Sequence, residues 1–167
     1  MNQNERRKRL FWNGKPNIRL FEANDYGWLW AAYQTDEVTK EQFIVNTNQI
    51  LSRYNEVYIV DDRNKKFEDS FGSVALVCAY YDGHRLEPHV EWFPWATPKN
   101  KLRSHVAFLQ KMKYRKDVAV TEVKSSEGNK KFFHNLSKYI SLKSCGMLPK
   151  GRADGNEHRF FIFGKKR

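Results

Sequence analysis

A single α/β domain, with one mixed sheet of about six to seven strands flanked by about four helices, is the fold class the sequence predicts. Three observations predict it. The 167 residues suit one domain with one core. Segments alternating with a period of two interleave with segments of helical period, in the order strand, two helices, three strands, helix, strand, helix and a strand pair. Aromatic residues make up 15% of the chain and fall mostly inside those segments, which favours a packed fold over disorder.

Residues 1–16 read as a basic arm and 17–167 as the domain. The arm carries Leu10, Phe11 and Trp12 ahead of Gly14 and Pro16, and three apolar side chains predict that it docks rather than waves freely. A first strand is expected over 17–23, then a helix through Trp28 to Tyr33 capped by the Asn24-Asp25 pair. The Thr39-x-x-Gln42 pattern starts a second helix, on which Phe43, Ile44, Thr47, Ile50, Leu51 and Tyr54 recur at helical spacing. Strand 56–61 follows, and the polar stretch 61–70 reads as a turn or flexible loop. A hairpin comes next, with strands over 73–80 and 85–96 joined by Tyr81-Asp82-Gly83. Thr97-Pro98 then opens a helix over 98–114, whose Leu102, Val106, Leu109 and Met112 form one stripe. A short strand over 118–123 and a helix capped by Ser125 or Ser126 and running to about 140 precede a terminal hairpin, 143–148 with 159–164, around a 151–155 loop.

Thirty Lys and Arg against nineteen Asp and Glu give a net charge of +11, which draws the chain toward polyanions. The charge gathers at Arg6, Arg7, Lys8 and Arg9 and again at Lys165, Lys166 and Arg167, so nucleic acid is a candidate partner of the basic termini; a solvated tail gives the same pattern. No apolar run is long enough for a membrane span, and no apolar segment follows the N-terminal charges as in a secretion signal. Two cysteines, Cys78 in an apolar strand and Cys145 before a glycine, make neither a disulfide framework nor a metal site.

Glu87, His89 and Glu91 alternate with Leu86, Pro88, Val90 and Trp92 and so share one face of the fourth strand. Glu91 is the leading candidate general base and His89 the second, although a strand with one solvent face gives the same alternation. His105 lies near the apolar stripe and reads as packed and hydrogen-bonded rather than catalytic. The Trp92-Phe93-Pro94-Trp95 segment either walls a pocket or forms a protein contact.

The succession of elements over 17–164 resembles the GNAT family of N-acetyltransferases. The residues carrying the resemblance are the Asn17-Ile18-Arg19 strand, Gly72 before the third strand, the 92–97 strand end before a helix, and Asn129 at the start of the last helix. The resemblance implies that the fourth strand and the following helix hold acetyl-CoA, with a motif of the form Arg/Gln-x-x-Gly-x-Gly/Ala at the diphosphate. Lys101-Leu102-Arg103-Ser104-His105-Val106 stands in that place without either glycine, and Ser104 and Val106 add side chains where the anion would lie. Leu136 occupies the position of the family's tyrosine acid, and Tyr139 is the nearest substitute. The aromatic segment and the Arg159-Phe160-Phe161-Ile162-Phe163 ending further resemble GNAT-like proteins of tailed bacteriophages.

The expectation from these departures is a non-catalytic assembly component of a tailed-phage virion, located in the virion or host cytoplasm. It would use no cofactor and contact other virion proteins of the portal, tail or interior. The alternative is an active acetyl-CoA-dependent N-acetyltransferase. Glu91, His89 and Tyr139 would then be catalytic, Trp92, Phe93, Trp95, Lys101, Arg103, Ser104 and Asn129 would hold the cofactor, and no metal would be needed. A nucleic-acid-binding accessory protein is the further alternative. The deciding feature is whether a pantetheine-sized cleft between the fourth and fifth strands is open, or is plugged by Trp92, Phe93 and Arg103.

Overall fold

Strand β3 (Ser73–Tyr81) is apolar without alternation from Val74 to Ala79, because both of its faces are covered; around it the chain lays out one seven-stranded sheet. The computed structural model describes residues 1–62, 72–152 and 155–165. Its strands are β1 (Asn17–Leu20), β2 (Glu56–Asp61), β3, β4 (Arg85–Trp92), β5 (Val120–Ser126), β6 (Lys143–Arg152) and β7 (Gly155–Phe163), in the sheet order β1-β2-β3-β4-β5-β7-β6. Every pairing is antiparallel except β4 with β5.

The helices are α1 (Gln3–Leu10), α2 (Tyr26–Tyr33), α3 (Lys40–Leu51), α4 (Pro98–Tyr114) and α5 (Lys130–Ser137). Alternate residues of β2 and β3 feed two cores. Val60, Ala75, Val77 and Ala79 pack with Val106, Leu109 and Met112 of α4 and Phe133 and Leu136 of α5. Ile59, Leu76 and Cys78 pack with Leu29 of α2 and Leu51 of α3 on the opposite face. Thr39 caps α3 by accepting the Gln42 N–H at 3.2 Å.

Several boundaries differ from the sequence-based expectation, each for a physical reason. Asp25 does not cap α2. It ends a 3₁₀ turn (Ala23–Asp25), and its buried carboxylate takes the Arg19 guanidinium at 2.6 and 2.7 Å. Strand β4 stops at Trp92; the Phe93 N–H makes one last bond, to the Val74 carbonyl of β3, and its ring fills the α2–α3 core. Ser125 and Ser126 belong to β5, paired with β7 as far as Ser126↔Glu157, so the last helix starts only at Lys130. The expected 61–70 loop lies, beyond Asp62, outside the described residues, as do 153 and 154 of the terminal hairpin loop.

The N-terminal segment contains a helix the sequence reading did not identify. Asn2 caps α1 through a reciprocal pair of hydrogen bonds with Glu5. Gln3 donates to the Ser137 carbonyl at 2.9 Å and Arg7 to the Tyr139 carbonyl, while Leu10 and Phe11 lie against the α4–α5 core. Trp12 stays 75% exposed.

Candidate functional site

The parallel β4–β5 ladder lasts two pairs, Arg85↔Val120 and Leu86↔Thr121. Beyond them the strands part. Each keeps its outer partner: β4 stays paired with β3 up to Ala75↔Trp92, and β5 with β7. Pro88, two residues past the last pair, has no N–H to give to a ladder. The splay leaves a cleft of about 650 Å³, floored by Ser104, His105 and Phe108 of α4 and closed at the side by Phe132 and Phe133. Lys124 of β5 spans the opening to Glu87 of β4 at 2.7 Å, and the His89 ring lies 3.3 Å from the same carboxylate.

Six sequence-predicted site residues meet in this cleft: His89, Glu91, Trp92, Lys101, Ser104 and Asn129. Lys101 sits 6.0 Å from the Trp92 ring, and Asn129 precedes α5 without making a cap hydrogen bond. Glu91 receives the Tyr33 hydroxyl at 3.3 Å. Because β4 alternates, Trp92 and Val90 face the α4 side, whereas Glu91, opposite Leu76 of the other core, faces the α2 side. A donor lying along α4 and an acceptor arriving from α2 would therefore meet at the edge of one strand.

Four predicted residues lie elsewhere. Arg103 is 1% exposed, and all five of its donors are engaged: Nε and Nη2 with Asp62 at 3.0 and 3.1 Å, Nη2 also with the Gly14 carbonyl, and Nη1 with the Leu10 carbonyl and with Asn13 at 3.0 Å. It clamps the N-terminal segment to β2 and α4 and has nothing left for a phosphate. Phe93, 1% exposed, fills the α2–α3 core. Trp95 packs against Phe93 and donates its indole N–H to the Ser73 carbonyl at 2.8 Å. Tyr139 lies past the end of α5, outside the cleft, with its carbonyl bound by Arg7. None of these plugs the cleft.

Burial sets the chemistry of the lining. The His105 ring lies between Trp92, tilted to it, and Phe132, edge-on to it, at centroid distances of 5.1 and 5.0 Å, and burial lowers its pKa to about 4, opposed by the Lys101 backbone. It is neutral near pH 7. Burial pushes the Tyr33 hydroxyl up to about 12, with the Glu91 carboxylate adding to the shift. Burial likewise raises the Cys78 thiol to about 11, again with Glu91 contributing. Among the described residues, the Ser104 Oγ and His105 Nδ1 atoms are buried with no hydrogen-bond partner. Among the described residues, no group of three His, Cys, Asp or Glu side chains is placed to hold a metal, and no helix is long and apolar enough to cross a membrane.

The two ends of the site fit an acyl-CoA unequally. The splayed strands and the orphaned polar atoms on the floor suit an uncharged, amide-bearing arm such as pantetheine. The N-terminus of α4 does not suit a diphosphate. Between residues 93 and 101, Pro94 and Pro98 have no N–H, and five of the seven remaining amides are bonded within the chain: Phe93 to Val74, Ala96 to Phe93, Thr97 to Asn100, Asn100 to Thr97 and Lys101 to Thr97. The obstruction expected from Ser104 and Val106 is located differently. Ser104 floors the cleft, and Val106 is buried in the α4 core, so self-capping of the helix end, rather than bulk at those positions, removes the cradle.

Sequence reasoning passed over Tyr33, Lys124 and the pairing of Ser104 with His105. The detectable signal was Pro88, a proline inside an otherwise good strand, which marks a ladder that must break.

No protein-family profile matches the chain, and no curated protein matches it by sequence. Solved structures do match. A chimera of the spermidine N-acetyltransferase SpeG from Vibrio cholerae with hSSAT superposes with a TM-score of 0.63 at 12% identity, covering 90% of this chain and 96% of that one. A mutant form of the Vibrio cholerae spermidine/spermine N-acetyltransferase SpeG gives 0.63 at 14%, covering 89% and 95%. A GNAT-family acetyltransferase from Bacillus cereus gives 0.59 at 11%, covering 92% and 100%. The chain has the GNAT fold. These three descriptions name acetyltransferases, and none names a phage particle.

Proposed function

We propose that this chain is an acyl-thioester-dependent N-acyltransferase that binds the pantetheine arm of its donor in the β4–β5 cleft and acylates an amine arriving from the α2 side. The observation that carries this reading is the open splay after Leu86↔Thr121, with Glu91 at its edge. When bound, the thioester supplies an electrophilic carbonyl and a thiolate leaving group. Glu91, oriented by the Tyr33 hydroxyl, takes a proton from the attacking amine. The N–C bond forms as the C–S bond breaks, and the thiolate is protonated from solvent, since Leu136 is buried in the core and Tyr139 lies outside the cleft. Unpaired backbone on the inner edges of β4 and β5 can bond the donor's amides as a strand would.

The test is release of free thiol from acetyl-CoA in the presence of an amine panel that includes spermidine, because SpeG, one of the structural neighbours, is a spermidine N-acetyltransferase. Acetyl-CoA at a hundredfold excess over its dissociation constant should also stabilise the fold by about 2.7 kcal/mol. Glu91→Gln should lower turnover about a hundred- to ten-thousandfold. No thermal shift and no turnover with any amine would overturn the reading. The non-catalytic virion role would then be favoured, with the protein present in purified particles at fixed stoichiometry. Nucleic-acid binding would instead appear as an affinity falling steeply with salt.

A further inference from the structure

We propose that the cleft recognises its donor by the amides of the pantetheine arm, through Ser104 Oγ and His105 Nδ1, and does not read the nucleotide diphosphate. The proposal rests on the acyl-transfer reading above and adds to it which part of the donor is recognised. Ser104 is 2% exposed, and His105 is held among Trp92, Phe132 and Phe133; both line the cleft, and Ser104 Oγ and His105 Nδ1 are buried without a partner among the described residues. A folded chain keeps such atoms at a cost unless something pairs with them. Both groups are uncharged, and an uncharged hydroxyl and imidazole match an amide, which offers one donor and one acceptor.

The opposite end of the site carries the complementary observation. Five of the seven amides between residues 93 and 101 are already bonded within the chain, and the Asn100 side chain that completes the Thr97 cap also donates to Asp62 at 3.1 Å. Opening that helix end to an anion would break the cap. Affinity must then come from the arm, which is common to free coenzyme A and to a carrier protein's phosphopantetheine.

The experiment measures dissociation constants by calorimetry for coenzyme A, for pantetheine, and for an acyl carrier protein in its holo and apo forms, on the native chain and on Ser104→Ala and His105→Phe. Coenzyme A and pantetheine should bind within about tenfold of each other. Each substitution should weaken both by about tenfold or more while leaving the melting temperature of the unliganded protein unchanged or raised, an outcome that a purely structural role would reverse. Binding of holo but not apo carrier assigns the source of the arm to a carrier, and no binding of either assigns it to the free thioester; both uphold recognition of the arm. Coenzyme A binding more than about a hundredfold tighter than pantetheine overturns the inference and leaves the acyltransferase reading standing. So do unchanged affinities in both variants. Failure of every ligand to bind the native chain overturns the two together.

Discussion

Replacing Arg103 by methionine should destabilise the fold severely without touching the cleft. The guanidinium is buried, all five donors are occupied, and three separate parts of the chain meet on it: the 10–14 segment, Asp62 just past β2, and α4 itself. Met keeps most of the stem volume and removes the fork, so among the described residues Asp62 keeps the Asn100 amide at 3.1 Å as its side-chain donor, and the Leu10 and Gly14 carbonyls lose the guanidinium. Breaking one partner of a buried pair costs about 3–5 kcal/mol. For a domain of this size that is a fall of about 6–20 °C in melting temperature. Lysine should not rescue, because a point charge cannot reach Asp62 and two carbonyls together. The companion double substitution, Arg103→Met with Asp62→Leu, should recover only part of the loss: the buried charge disappears, but the two carbonyls remain unpaired. The assay is urea and thermal unfolding of the four proteins as a double-mutant cycle. A loss below about 1 kcal/mol in Arg103→Met would refute the argument that this residue is a structural clamp.

The other expectations can be checked with less material. Because His105 titrates near 4 folded and near 6.5 unfolded, the unfolded chain binds its proton first. Stability present above pH 6.5 should therefore be lost as the pH falls toward 4, by up to about 3 kcal/mol, and His105→Phe should flatten that slope in urea titrations. A thiol alkylating reagent at mildly alkaline pH should label the exposed Cys145 and spare Cys78, whose thiol burial has raised to about 11; equal labelling would contradict the buried placement. Gly164→Ala should destabilise by about 1–3 kcal/mol in unfolding experiments, since a Cβ there would lie 2.6 Å from the Val118 carbonyl oxygen. An unchanged midpoint would mean the backbone gives way more easily than the close approach suggests.

The layered fold was legible because its signals are local. Thr97-Pro98 starts a helix by capping chemistry that depends on no distant residue, and the unbroken run of β3 could be placed only at a sheet centre. The site was legible where strand alternation carried it: Glu91 and Trp92 emerge on opposite sides of β4, as a period of two requires. The sequence was silent where long-range partners decide. A basic residue on an amphipathic helix reads as solvent-facing, so Arg103 looked available, and only the meeting of residues 10–14 with Asp62, over separations of 89 to 93 and of 41 residues, makes burial the better place for it. Arg6 to Arg9 looked like a tail for the same reason, although Asn2 and Glu5 form a complete capping pair at either side of Gln3 and Asn4.

The cleft and the helix end obey different constraints, and that explains how one can be kept while the other changes. β4 and β5 form the sole parallel pairing among the described strands, joined by a crossover through α4. Past Leu86↔Thr121 each strand stays with its outer partner, β4 with β3 and β5 with β7, while α4 and α5 cover the same face of the sheet, so the carboxyl ends diverge and stay uncovered between them. The opening here is therefore a product of topology, with Pro88 ensuring that the ladder does not close it, and no glycine is needed to maintain it. A diphosphate cradle, by contrast, depends on a few backbone amides being left unpaired, and one Thr–Asn capping pair and two prolines suffice to use or delete most of them. The Lys124–Glu87 bridge sits across the opening these constraints leave. Replacing Lys124 by methionine should widen the mouth and raise the rate of acyl transfer to bulky amines relative to small ones, measured as the ratio of kcat/KM values. An unaltered ratio would show that the bridge does not gate the acceptor.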